Sequence, residues 1–151
     1  MRKTLLILLT LAGATGARAQ VGLGADVVSR YVWRGTDFGD AVSVQPYLSY
    51  AAGPLAVGTW ASYPIAAAAG ANEHDLYATW SVRGLSLTLT DYYFPQGARF
   101  LEFGDGDGAH HLEASAAYGA GPFSMMAGVF FWNDDDHSIY AEAGYALPEL
   151  A

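Results

Sequence analysis

From about residue 21 onwards, apolar and polar positions alternate with a period of two, in short runs broken by Gly, Pro and Asp. The alternation predicts eight strands, near residues 21–34, 42–51, 55–63, 75–82, 85–94, 111–118, 123–132 and 138–147. Successive side chains on a strand point to opposite sides, so each run has two faces. One face carries Val44, Pro46, Leu48 and Tyr50, then Leu55, Val57 and Thr59, then Leu76, Ala78 and Trp80, then Leu85, Leu87 and Leu89. The other carries Ser43, Gln45, Tyr47 and Ser49, then Asp75, Tyr77 and Thr79, then Ser86, Thr88 and Thr90, then Glu113 and Ser115. The first run sets the scheme, with Asp26, Val28, Arg30, Val32 and Arg34 opposite Val27, Ser29, Tyr31 and Trp33.

Runs of about ten residues match a tilted strand crossing a bilayer. Lipid on one side and a wet interior on the other account for the two faces. The connections alternate too. Ala52-Gly53-Pro54, Arg83-Gly84 and Gly119-Ala120-Gly121-Pro122 read as tight turns, while most other links are longer and more polar. Short periplasmic turns and longer external loops are the habit of outer-membrane barrels. Aromatics fall at run ends, where interfacial girdles belong. Tyr31, Trp33, Tyr63, Tyr93 and Phe131 are the expected outer ring, and Tyr50, Tyr118, Phe123 and Tyr145 the periplasmic one. Asp91 and Pro46 resist this scheme. Asp91 shares the apolar parity of Leu87 and Leu89, which places it at the external interface or beside a bulge. Pro46 lacks a ladder donor, which points to an edge or a bulge.

Composition narrows the class. Charged residues are 15% of the 151-residue chain, against about 25% in soluble domains. There is no cysteine, which excludes disulfides and thiolate metal sites. Arg2 and Lys3, an apolar run at residues 5–12 and Ala17-Arg18-Ala19 read as a cleavable export signal over residues 1–19. The barrel domain then occupies residues 20–151. Cleavage leaves Arg30, Arg34, Arg83 and Arg99 as the basic residues against 15 Asp and Glu. So acidic a chain has no footprint for nucleic acid.

Ser29-Arg30-Tyr31-Val32-Trp33-Arg34-Gly35, after Ala25-Asp26-Val27-Val28, closely resembles the opening of the TorF porin family of proteobacterial outer-membrane proteins. Gln45-Pro46, Gly58-Thr59-Trp60-Ala61-Ser62, Asn72-Glu73-His74-Asp75-Leu76-Tyr77, Asp91-Tyr92-Tyr93-Phe94-Pro95 and Gly144-Tyr145 also look like that family. The resemblance implies a porin-like β-barrel and supplies no substrate or catalytic residue. Family members run on into further strands and a terminal aromatic, whereas this chain stops at Leu147-Pro148-Glu149-Leu150-Ala151. Eight strands are then a lower limit on the barrel.

Asp26, Arg30, Arg34, Gln45, Tyr47, Glu113 and Glu142 are the expected lumen-lining residues. In a wide barrel such charges select ions, and in one of about eight strands they fill the interior and pair. Asp105-Gly106-Asp107-Gly108 and Asp134-Asp135-Asp136 lack the further ligands of a calcium loop and read as solvated acid. Residues 64–70, Pro-Ile-Ala-Ala-Ala-Ala-Gly, read as a loop resting on the barrel mouth. His74, His110, His111 and His137 fall in or beside external links. No Gly-x-Ser-x-Gly elbow or His-Glu-x-x-His pair accompanies them, so no enzyme, metal or cofactor is expected. The expectation is an all-β, antiparallel up-and-down transmembrane barrel in the cell outer membrane, among lipid and lipopolysaccharide. It passes small polar solutes or ions. The alternatives are a plugged structural or adhesive barrel acting through acidic loops, and a soluble periplasmic ligand-binding barrel. Oligomeric state is left open.

Overall fold

The computed structural model describes residues 19–39, 41–65, 72–95, 99–104 and 109–147. Among them lie ten strands: β1 (Gln20–Val28), β2 (Tyr31–Trp33), β3 (Thr36–Gly39), β4 (Ser43–Ala52), β5 (Leu55–Pro64), β6 (Glu73–Val82), β7 (Leu85–Tyr93), β8 (His110–Ala120), β9 (Phe123–Trp132) and β10 (Ile139–Tyr145). Eight form one antiparallel sheet in the order β1-β4-β5-β6-β7-β8-β9-β10, and β2 pairs with β3 apart from it. Sheet neighbours follow chain order, as an up-and-down arrangement requires. The ring is not closed, because β1 and β10 each pair on one side only. The expected export signal up to residue 18, the alanine-rich part of the 64–70 loop and Asp105-Gly106-Asp107-Gly108 lie outside the described residues.

The tight ends are two-residue turns. Arg83 and Gly84 take φ of 47° and 82° between the paired Val82 and Leu85. Two successive left-handed residues give a turn whose twist matches that of the strands it joins. Gly53-Pro54 and Gly121-Pro122 close the other two, with Ala52 facing Leu55 and Ala120 facing Phe123. All three sit at one end of the sheet, with the longer links at the other.

The register stacks each face in rows. Val57, Ala78, Leu89, Ala114, Val129 and Ile139 lie side by side from β5 to β10 on the outer face. Tyr47, Trp60, Asp75, Tyr92 and His111 form a row on the inner face from β4 to β8. Burial is the reverse of a water-soluble domain's. The buried side chains include Ser43, Gln45, Ser62, Glu73, Asp75, His110 and Glu113, while Leu23, Leu48, Leu76, Leu89 and Ile139 are exposed.

Two expectations need correcting. The first strand ends at Val28, six residues earlier than the alternation implies, where its pairing with Ser43 ends. The chain bends at Ser29 and Arg30 and makes a separate hairpin. Its turn is Arg34-Gly35, at φ of 49° and 80°, between the paired Trp33 and Thr36. Pro46 is neither at an edge nor at a bulge. It pairs with Ala25 on one side, and the β4–β5 ladder omits a bridge at Gln45 and Pro46. The ladder resumes at Tyr47 in the same register, so one missing donor is all that the proline costs.

Candidate functional site

The β2–β3 hairpin lies across the inner face of the sheet. Tyr31 is 7% exposed, with its ring 5.3 Å from Trp60 on β5 and its hydroxyl donating to Glu73 Oε1 on β6 at 3.1 Å. Trp33 packs on Tyr92 of β7 at 5.5 Å and on Phe130 of β9 at 6.4 Å. At the tip, Arg34 donates to Glu113 Oε1 on β8 at 2.7 Å and stacks over Tyr140 of β10 at 4.4 Å. One short hairpin thus touches six strands, so the inner face is concave and wraps it. Tyr31 and Trp33 are therefore interior residues, not members of an outer girdle. The physical reason is the bend at Ser29 and Arg30, which takes the chain off the first strand, and the Arg34-Gly35 turn, which then folds Tyr31–Trp33 back against Thr36–Gly39.

Glu113 anchors this arrangement. It is 2% exposed and accepts from Arg34 on one oxygen and from the Tyr92 hydroxyl on the other, at 2.7 Å each. Its carboxyl lies over Gly128 on β9, where a Cβ would collide with it. Gly58 does the same for Tyr77, whose ring occupies the space that a β5 side chain would fill. Glycines on the inner face thus seat the large polar side chains of the next strand.

Three cavities open along this face, of about 390, 230 and 180 Å³, and Trp33 and Tyr92 line all three. The largest holds Arg34, Glu113, Tyr140 and Glu142, with Tyr140 donating to Glu142 at 2.8 Å. The 230 Å³ cavity holds Tyr31, Trp60, Asp75 and Tyr77. The smallest reaches His111 and Asp134 near the long links. The Trp33–Tyr92 ring pair is the partition between them.

Of the lumen candidates, Arg34 and Glu113 meet, and Glu142 shares their cavity. Gln45 is buried, with Nε2 donating to Ser62 Oγ at 3.4 Å, and Asp26 lies opposite it on β1. Tyr47 stands on the same face, over Gly24. Arg30 binds Asp37 at 3.1 Å at the base of the hairpin. Trp60, Glu73, Asp75 and Tyr92 were not among the sequence-derived candidates, although Glu73 and Asp75, two apart on β6, necessarily share a face.

On the outer face, Tyr50, Tyr118, Phe123 and Tyr145 are exposed near the tight-turn end, and Phe123 packs on Tyr145 at 4.9 Å. Tyr63 and Phe131 are exposed near the other end. Tyr93 is not: it stacks on His110 at 4.7 Å and meets Phe100 at 5.3 Å, beneath the β7–β8 link. That link also explains Asp91. Fully buried His110 places Nδ1 at 2.8 Å from Asp91 Oδ1 and Nε2 at 2.7 Å from the Phe100 carbonyl, with Phe103 stacked on its ring. Asp91 faces outward under a loop that folds over it, and its cross-strand partner Leu112 stands at a register shift between β8 and β9.

In the β9–β10 link, Asp134 Oδ1 accepts from the backbone N–H of Asp136 and Ser138. Desolvation is the largest single effect and raises its carboxyl, but the bonds from Ser138 and Asp136, with His111 nearby, together outweigh it and hold the group below the usual carboxylate range. No group of three or more His, Asp or Glu among the described residues is placed to hold a metal. No family model, curated protein or solved structure matches the chain.

Proposed function

We propose that the chain is a membrane-spanning β-barrel of the bacterial outer membrane that passes small polar solutes or ions, with the β2–β3 hairpin as its constriction. The observation that carries this is the inverted burial: exposed leucines and valines outside, carboxylates and tyrosines inside. In water such an outer face is an aggregation liability, whereas in a bilayer it is the solvated surface. Lipid also requires partners for the free N–H and C=O groups of β1 and β10, so these edges pair in the membrane, with each other or with further strands. The export signal and the resemblance of residues 29–35 to the TorF porins support the same placement.

A second reading has its own observation. The Arg34–Glu113–Tyr92 cluster and the Trp33 partition occupy the interior, as they would in a filled structural barrel. Planar-bilayer recording separates the two. A conducting barrel gives small unitary steps that grow when Trp33→Ala removes the partition. If both proteins insert, run heat-modifiably on gels and pass no current, the filled-barrel reading replaces the porin.

A further inference from the structure

The 230 Å³ cavity is built unlike its neighbours. Its walls are the rings of Tyr31, Trp33, Trp60, Tyr77 and Tyr92 with Thr88 and Thr90 between them, and Asp75 is its one carboxyl group. Asp75 is 7% exposed and hydrogen-bonds Glu73, so the two carboxyls share a proton and the pair carries at most one negative charge, while Asp75 Oδ1 is buried with no hydrogen-bond partner. A buried, unpaired carboxyl oxygen is costly, and native structures retain one where a ligand or function uses it. The nearby cation, Arg34, is engaged by Glu113. The inner face around Glu73, Asp75 and Glu113 is therefore short of positive charge.

We propose that this cavity binds a small organic cation of the quaternary ammonium class, with the proton-sharing Glu73–Asp75 pair as counter-ion and the aromatic rings as its cage. Aromatic faces are negative and attract a cation that has no N–H to donate. A metal ion fits poorly, since the neutral Thr and Tyr hydroxyls are weak ligands and, among the described residues, no third carboxylate or imidazole is placed to join Glu73 and Asp75. A ligand of drug size does not fit either, because such sites run from about 300 Å³ upward. Gly58 belongs to the design, because it lets the Tyr77 ring lie back against β5 and leaves the cavity open. The inference needs only the geometry of the inner face and stands whether or not the barrel conducts.

The test uses the full chain refolded in detergent, with tetramethylammonium and choline as probes. Saturation transfer from the aromatic protons to the ligand methyl protons reports contact with the cage. Both cations are expected to bind saturably, and dimethylbutanol, choline's uncharged carbon analogue, is not. Glu73→Gln combined with Asp75→Asn, which removes the charge of the pair, abolishes the transfer, and Trp60→Leu weakens binding about tenfold. Thr88→Ile, which fills the cavity from β7 without touching the carboxylate, blocks it. The proposal is overturned if the uncharged analogue binds as well as choline, if sodium competes equally with tetramethylammonium, or if no saturable transfer is seen. Should the double variant fail to fold, the comparison of choline with its analogue on the unaltered protein decides alone.

Discussion

Arg34 and Glu113 are 79 positions apart and meet at 2.7 Å, with both side chains largely shielded from water. This contact ties the hairpin tip to β8. Removing Arg34 leaves a buried carboxylate with the Tyr92 hydroxyl as its remaining donor among the described contacts, a loss worth about 3 kcal/mol. Glu113→Gln keeps an acceptor for Arg34 and costs about 1 kcal/mol. Urea unfolding of the barrel in detergent is expected to rank Arg34→Ala well below Glu113→Gln, and the double variant to lose less than the two single losses combined.

Gly128→Ala reaches the same contact from behind. A methyl group there occupies the place of the Glu113 carboxyl, and the Ser115 side chain stands close beside it. The expected result is a loss as large as that of Arg34→Ala, although residue 128 bears no charge. Combining Gly128→Ala with Arg34→Ala should add little further, because both break one contact.

The eight strands of the sheet were legible because the outer rows are apolar and the inner rows polar at nearly every step, and seven of them lie within two residues of their expected ends. The hairpin was not. Alternation runs on unbroken through Tyr31, Val32 and Trp33, and periodicity cannot tell a strand that continues from one that folds back. The signal was present in Arg34-Gly35, the same dipeptide that reads as a tight turn at Arg83-Gly84, and in the structure both adopt the same left-handed pair. The cage was hidden for another reason. Trp60 and Asp75 stand opposite each other only once the register between β5 and β6 is set, and Tyr31 reaches Trp60 only through the hairpin. Asp91 read as an anomaly because its partner, His110, stands at the far end of a long link.

His110 latches that link. Its two ring nitrogens bridge Asp91 and the Phe100 carbonyl, and the charge on Asp91 makes one of those bonds worth about 1.5–3 kcal/mol. His110→Ala removes both bonds and leaves the carboxylate on an apolar face. Limited proteolysis within residues 99–104 is expected to speed up by roughly ten- to a hundredfold, while the tight turns at the opposite end stay resistant.

Asp134 brings pH dependence to the β9–β10 link. Its folded carboxyl titrates below that of the unfolded chain, so its contribution is fully present above the ordinary aspartate range, near 4. That contribution is lost as pH falls through the lower, folded value. Amide exchange at Asp136 and Ser138, which donate to Asp134, should rise in that acid window relative to the exchange of the sheet. Asp134→Ala should show the faster exchange at every pH and no such step.

The depth of the outer face can be read by charge. Leu89 is half exposed at the middle of β7, and Leu85 shares its parity beside the Arg83-Gly84 turn. If lipid covers this face, Leu89→Arg places a cation near the midplane at about 2–4 kcal/mol, while Leu85→Arg near the interface costs about 0–1 kcal/mol. If water covers it, neither position is penalised and depth has no meaning, so the two variants unfold alike. Reversible unfolding from vesicles, measured for both, should separate them by roughly 2 kcal/mol. Equal stabilities would remove the bilayer from the account of the outer face and leave its exposed leucines needing a protein partner instead.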